Sequence, residues 1–265
     1  MESMIASLLR GFRTTSGILA SRQMSMSTPI GEARRAASSL HSVPAALDRQ
    51  QELLLDEMCL LVDENDRQVG AATKRRCHQW SDGSCPLHRA FSVFLFDSRD
   101  RLLLQRRSDV KITFPGNVTN TCCSHPLAVP GETEAEGGRG VIRAARRRLA
   151  IELGIDPKQV PTSAFHYLTR MHYKAASDGG VWGEHEMDYI LVVRADVDLA
   201  PNPNEVKAVD YVARHELTGF LARLRADGVL PTPWFQLISD TWLMRWWENL
   251  DSLAQFEDHQ TIHRL

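Results

Sequence analysis

Phe91-Ser92-Val93-Phe94-Leu95-Phe96 is apolar at every position but Ser92 and dense in residues that favour extended chain, so it reads as a core β-strand. Asp97 to Asp100 holds turn formers that send the chain back through Arg101–Arg107 as a second strand. Upstream, Met58-Cys59-Leu60-Leu61-Val62 is a strand, and Asp63 to Arg67 is a hairpin turn into Gln68–Ala72. Downstream, Gly140 to Leu153 predicts a helix with Ile142, Ala145, Leu149 and Leu153 as its buried stripe and Gly154 as its stop. Phe165–Lys174, Glu186–Arg194 and Val206–Val212 read as strands, and Glu216–Arg225 as a short helix. A last helix is expected from about Trp234 to Leu250, with Phe235, Ile238, Trp242, Trp246 and Leu250 on one apolar face. Strand pairs with interspersed helices predict the α+β class, a mixed-sheet sandwich in a single domain over residues 48–265.

The composition of the 265 residues is that of an ordinary globular protein, and a formal charge of -2 argues against a dedicated nucleic-acid partner. No apolar run approaches the roughly 18 residues of a membrane span. Five cysteines, two of them adjacent, do not form a disulfide framework, so reduced thiols and an intracellular home are expected. Cys59, Cys77 and Cys85 are read as structural. From Ser3 to Gly31 there is no acidic residue, while Arg10, Arg13 and Arg22 recur among serines, and Ile5, Leu8, Leu9 and Phe12 share a helical face. Residues 1–47 are therefore expected to be a presequence and disordered linker, with mitochondrial import as the destination. The C-terminal His263-Arg264-Leu265 resembles a peroxisomal tripeptide, which leaves peroxisome and cytosol as alternatives.

Two segments carry the chemistry. Asn120-Thr121-Cys122-Cys123-Ser124-His125-Pro126 places a thiol two residues from an imidazole. Trp182-Gly183-Glu184-His185-Glu186-Met187-Asp188-Tyr189 sets two carboxylates at i and i+2, on one face of an extended chain. His78, His88, His125, Glu184 and Glu186 together offer a five-ligand set suited to Mg²⁺, Mn²⁺ or Zn²⁺. Spacing alone does not single these out in a chain with ten histidines.

The runs His88 to Phe96, Leu102 to Ser108, Ile112 to Gly116, Asn120 to Pro126, Trp182 to Leu191, Thr232 to Phe235 and Trp246 to Leu250 resemble type I isopentenyl-diphosphate isomerase, from roughly Leu53 to the end. The resemblance implies a Nudix-like α/β/α sandwich that converts isopentenyl to dimethylallyl diphosphate for isoprenoid and sterol biosynthesis. The Nudix hydrolase box, laid on Glu152-Leu153-Gly154-Ile155, fails: Arg148 and Ile151 stand where two metal-binding acids belong, and Thr133 and Arg139 replace its leading Gly and Glu. Losing those acids favours holding a diphosphate over cleaving it. By resemblance the metal ligands fall on His78, His88, His125, Glu184 and Glu186, and Glu152 helps hold a second Mg²⁺. The catalytic groups fall on Cys123, Glu186 and Tyr173. The substrate-binding residues are Lys74, Arg107, Lys111 and Arg148 for the diphosphate and Trp234 for the carbocation. The expected partner is a prenyl diphosphate; a monomer is expected, with a dimer left open.

Protonating an unactivated alkene requires an acid and a base on the same substrate, and Cys123 and Glu186 supply them. The order leans to Glu186 with Tyr173 as donor and Cys123 as acceptor. An aromatic face steadies a desolvated cation by about 2 kcal/mol or more. Three rivals remain: a Nudix hydrolase, an inactive binding module and a zinc-structured interaction domain. The broken box opposes the first, the retained Cys123, Glu186 and Tyr173 the second, and the lack of Cys-x-x-Cys pairs the third.

Overall fold

The structure is a computed structural model that describes residues 47–265; the expected presequence lies outside the described residues. A short helix α1 (Arg49–Leu54) comes first, capped by the Asp48 carboxylate, which accepts from the Gln50 and Gln51 amides. The expected hairpin follows as β1 (Met58–Val62) and β2 (Gln68–Thr73), antiparallel. Helix α2 (Lys74–His78), capped by Thr73, is too short to show a period in the sequence. Next come β3 (His88–Phe96), β4 (Leu102–Arg107), and the short β5 (Val118–Thr119) and β6 (Cys122–Ser124).

Helix α3 (Arg139–Leu153) keeps close to its expected bounds and stops at Gly154, whose φ of 68° is left-handed. A Cβ there would also strike the Ala200 carbonyl oxygen at 2.6 Å. Strands β7 (Phe165–Ala176), β8 (Gly183–Arg194) and β9 (Val206–Val212) follow, then α4 (Leu217–Ala226), α5 (Pro233–Ile238), α6 (Met244–Trp247) and a terminal strand β10 (Ile262–Arg264).

The continuous helix expected from Trp234 to Leu250 is broken. A π-helical turn over Ser239–Leu243 separates α5 from α6, and 3₁₀ turns take over from Leu250. The wider turn shifts the helix register, so Leu243, Trp246 and Trp247 are all buried with Ile238, while Trp242 is left half-buried.

One mixed sheet runs in the order β10-β7-β8-β3-β1-β2, with β6 pairing β3 and with β4 extending from β3 to β5 and β9. β3 and β8 are parallel at its centre, from His88 opposite Glu186 to Phe96 opposite Arg194. Their side chains alternate between two cores. Phe91, Val93, Leu95, Met187, Leu191 and Val193 pack under α3. Phe94, Phe96, Ile190 and Val192 pack under the C-terminal helices with Phe235, Trp246 and Trp247. This is the expected three-layer sandwich. Its second face carries the site.

Candidate active site

Period two decides which side chains meet. Glu184, Glu186 and Asp188 share the face of β8 that carries Ile190, and His88 leads the matching face of β3 directly opposite Glu186. Helix α2 delivers His78, and the segment after β6 delivers His125. The five expected ligands are all buried, with ligand atoms within 4.8 Å of one another. His78 Nε2 lies 2.9 Å from Glu184 Oε2, and His125 Nε2 lies 2.8 Å from Glu186 Oε1, with His88 Nε2 3.6 Å from the same oxygen. Gly183 opens the strand because a Cβ there would meet the Trp80 ring at 2.2 Å.

These residues fit a divalent cation. His78 and His88 turn Nδ1 to the Lys74 and Pro86 carbonyls, each at 2.8 Å, so both offer Nε2 to the centre. His88 Nε2 and Glu184 Oε2 are buried without a well-formed hydrogen bond. Burial opposes the charge on His88, but Glu186 overcomes it and lifts the imidazole to about 9. His125 is the nearer to Glu186, yet burial and repulsion from His78 and His88 push it well below the usual range. Burial also opposes ionisation of Glu186; the hydrogen bond and charge of His88 outweigh it and hold the carboxyl low.

The same alternation separates the adjacent thiols. Cys122 is buried in the core under α3, while Cys123 turns to the opposite face and lines a cleft together with His78, His125, Glu184, Glu186 and Trp234. Trp234 Nε1 donates to Cys123 Sγ at 3.0 Å, and Arg107 lies 5.8 Å from the centre of the indole ring. Phe114 meets Trp234 edge-on at 5.4 Å from a left-handed φ of 47°, its amide donating to Ser177 Oγ at 2.9 Å. Tyr173, opposite Glu186 across β7 and β8, donates to the free Glu186 oxygen. Burial, followed by the Asp188 charge, pushes the Cys123 thiol up to about 12. Burial thus favours the neutral Cys123 thiol, while the neighbouring His88 favours the Glu186 carboxylate.

Three of the four expected diphosphate cations, Lys74, Arg107 and Lys111, line the cleft. Burial, opposed by Glu205 and aided by Arg107 and Lys74, brings the Lys111 ammonium down to about 8. Arg148 and Glu152 do not line it. They sit behind it, one helical turn apart, joined at 2.7 Å and buried, with Gln105 Nε2 3.2 Å from Glu152. Arg148 therefore turns what would be an acidic pair into an ion pair. Glu205 links the two groups, 2.6 Å from Lys111 and 3.3 Å from Arg148. Glu205, Asp188, Ser92 and the side chain of Asn120 received no role from the sequence. Each is a buried polar partner, and only Asp188, one strand period beyond Glu186, carries a spacing signal.

A NUDIX domain family profile matches residues 86–235. Over 220 residues the chain is 54% identical to "Isopentenyl-diphosphate Delta-isomerase 1" of Mesocricetus auratus, a match spanning 83% of this chain and 96% of that protein. The chain belongs to the type I isopentenyl-diphosphate isomerase family. A plant member, "Isopentenyl-diphosphate Delta-isomerase I, chloroplastic" of Arabidopsis thaliana, is 48% identical over 222 residues, 82% of this chain and 76% of that protein. Among solved structures, a Deinococcus radiodurans protein aligns with 70% of this chain and 99% of its own at a TM-score of 0.48 and 19% identity. In this chain, the ion pair on α3 is the physical form of the broken hydrolase box.

Proposed function

We propose that this protein isomerises isopentenyl diphosphate to dimethylallyl diphosphate by protonating and deprotonating the C5 skeleton through a tertiary carbocation, in isoprenoid biosynthesis. The observation that carries the reading is the shared cleft: one half-buried thiol, one buried carboxylate backed by a tyrosine, and one buried indole, with three cations beside them. Cys123 and Glu186 exchange protons with the substrate carbons, and Tyr173 steadies the Glu186 carboxyl through its hydrogen bond. Trp234, set edge-on against Phe114, offers its ring to the cation. Arg107, Lys74 and Lys111 grip the diphosphate. Arg148 acts through Glu205 on Lys111, and Glu152 stays paired unless a second Mg²⁺ draws it away.

His78, His88, His125, Glu184 and Glu186 would hold the divalent ion, whose charge polarises the Glu186 carboxyl when bound. Mg²⁺ is the expected ion; the three imidazoles make Mn²⁺ and Zn²⁺ the alternatives at this set. The acid-poor N-terminal stretch supports mitochondrial import. His263-Arg264-Leu265 is engaged at the sheet edge, with the Leu265 amide 3.0 Å from the His172 carbonyl, which weighs against its being read as a free peroxisomal tail.

Proton NMR of the purified protein with isopentenyl diphosphate and Mg²⁺ in D₂O tests the activity. Deuterated dimethylallyl diphosphate is expected. Phosphate release without isomer would replace the reading with a hydrolase, and binding without product would replace it with an inactive module.

A further inference from the structure

We propose that Asn120 is a positioning residue that holds the Cys123 thiol and the Trp234 indole in one fixed arrangement. The proposal rests on the isomerase reading above. The Asn120 side chain is fully buried. Three donors converge on its Oδ1: the Cys123 thiol at 3.0 Å, the Trp234 Nε1–H at 3.1 Å and the Thr119 hydroxyl at 3.0 Å. The same indole N–H also donates to Cys123 Sγ at 3.0 Å. Oxygen, sulfur and indole nitrogen form a closed triangle.

The other end of the carboxamide is committed elsewhere. Nδ2 donates to the Val93 carbonyl at 3.0 Å and the Cys122 carbonyl at 3.3 Å, tying the side chain to β3 and β6. Turning the amide over would set its N–H groups against three donors and its oxygen against two carbonyls, so its orientation is determined. With its proton on Asn120 and its sulfur accepting from Trp234, the thiol is held in one orientation. Proton transfer at carbon tolerates little error there, because a misplacement of about 1 Å costs on the order of 100-fold in rate.

The two ends of Asn120 do separable work. Nδ2 staples the backbone, which is a matter of stability. Oδ1 aims the thiol and the indole, which is a matter of rate. Asn120→Ala removes both ends. Asn120→Asp keeps the accepting oxygen and, as a neutral acid in this buried place, one donor. Thermal melting and steady-state kinetics with isopentenyl diphosphate read the difference. Both variants are expected to melt below the wild type. The alanine variant should lose kcat on the order of 100-fold with KM nearly unchanged, and the aspartate variant should regain about tenfold or more of that loss. An aspartate variant as slow as the alanine variant would overturn the proposal, as would wild-type kcat in folded Asn120→Ala. If the alanine variant does not fold, the aspartate variant decides alone: kcat within about tenfold of wild type upholds the role of Oδ1, and a loss on the order of 100-fold at unchanged KM ends it. Wild type and Cys123→Ser run alongside. Turnover by the first and none by the second leaves Asn120 as the only claim under test. A silent wild type or an active Cys123→Ser would remove the isomerase reading and this proposal with it.

Discussion

The histidine–glutamate cluster and the thiol pocket share one cleft, yet they are assembled from different materials. The first gathers three imidazoles and two carboxylates within 4.8 Å, with little solvent to screen them. The second surrounds Cys123 with an amide oxygen, an indole N–H and two hydroxyls, all neutral. The charged end balances its two carboxylates against its own imidazoles, and a bound cation would take over that role. The neutral end is already satisfied and depends only on geometry. Their responses to mutation, chelation and pH should therefore differ.

The largest effect tests both ends at once. Cys123→Ser and Glu186→Gln should each lower turnover by about 10³-fold or more while the fold, read by circular dichroism, stays intact. Full activity in either would break the assignment. Chelation should then separate the two ends. Removing the divalent ion is expected to lower the melting temperature and abolish activity, with about 2.7 kcal/mol of stability at stake if the ion stood at a hundred times its Kd. Cys123→Ser should lose the same increment on chelation as the wild type, because its pocket holds no ligand. A smaller loss would show the ends to be coupled.

Trp234→Phe keeps a ring but loses the N–H that reaches Cys123 and Asn120; about tenfold in kcat is expected, one hydrogen bond's worth. The next prediction is a pH dependence in chelated protein. The His88 pKa is raised to about 9 from the ordinary 6.5, so its contribution to stability is full below about 6.5 and lost as pH rises through about 9. The melting-temperature gap between wild type and His88→Gln should be widest near the lower value and close towards the upper. A gap that widens with pH would reverse the sign of the charge at the cluster. The smallest effect is Cys122→Ser, expected to leave kinetics nearly unchanged because that thiol faces α3. A dead Cys122 variant would mean the wrong thiol had been assigned to the cleft.

Much of the frame was legible from pattern. The apolar run of β3, the stripe and glycine stop of α3, and β9 emerge where periodicity and turn chemistry put them. Helix α2 and strands β5, β6 and β10 were not legible, because two to five residues carry no period and are held by tertiary pairing. The π turn escaped for a related reason: the spacing of Ile238, Trp242 and Trp246 fits an ordinary helix, and only the need to bury Leu243 and Trp247 as well forces the extra residue. At the site, the alternation that parts Cys122 from Cys123 can be read once the strand is known. Glu205 and the side-chain role of Asn120 cannot, since a buried polar partner is defined by what surrounds it. The pairing of Arg148 with Glu152 and Glu205 was not legible either, since it depends on what surrounds the guanidinium.

The parallel pairing of β3 with β8 has a consequence for how the protein is born. His88 and Glu186 sit side by side in the finished sheet but about a hundred residues apart in the chain, across the long crossover that parallel strands require. During synthesis the imidazoles emerge well before either carboxylate. No nascent chain shorter than the end of β8 can close the cluster. Contacts of such long range are slow to form, so the ion site should be among the last features to mature, and a chain stalled before β8 would carry the thiol and histidines without the acids that make them an enzyme.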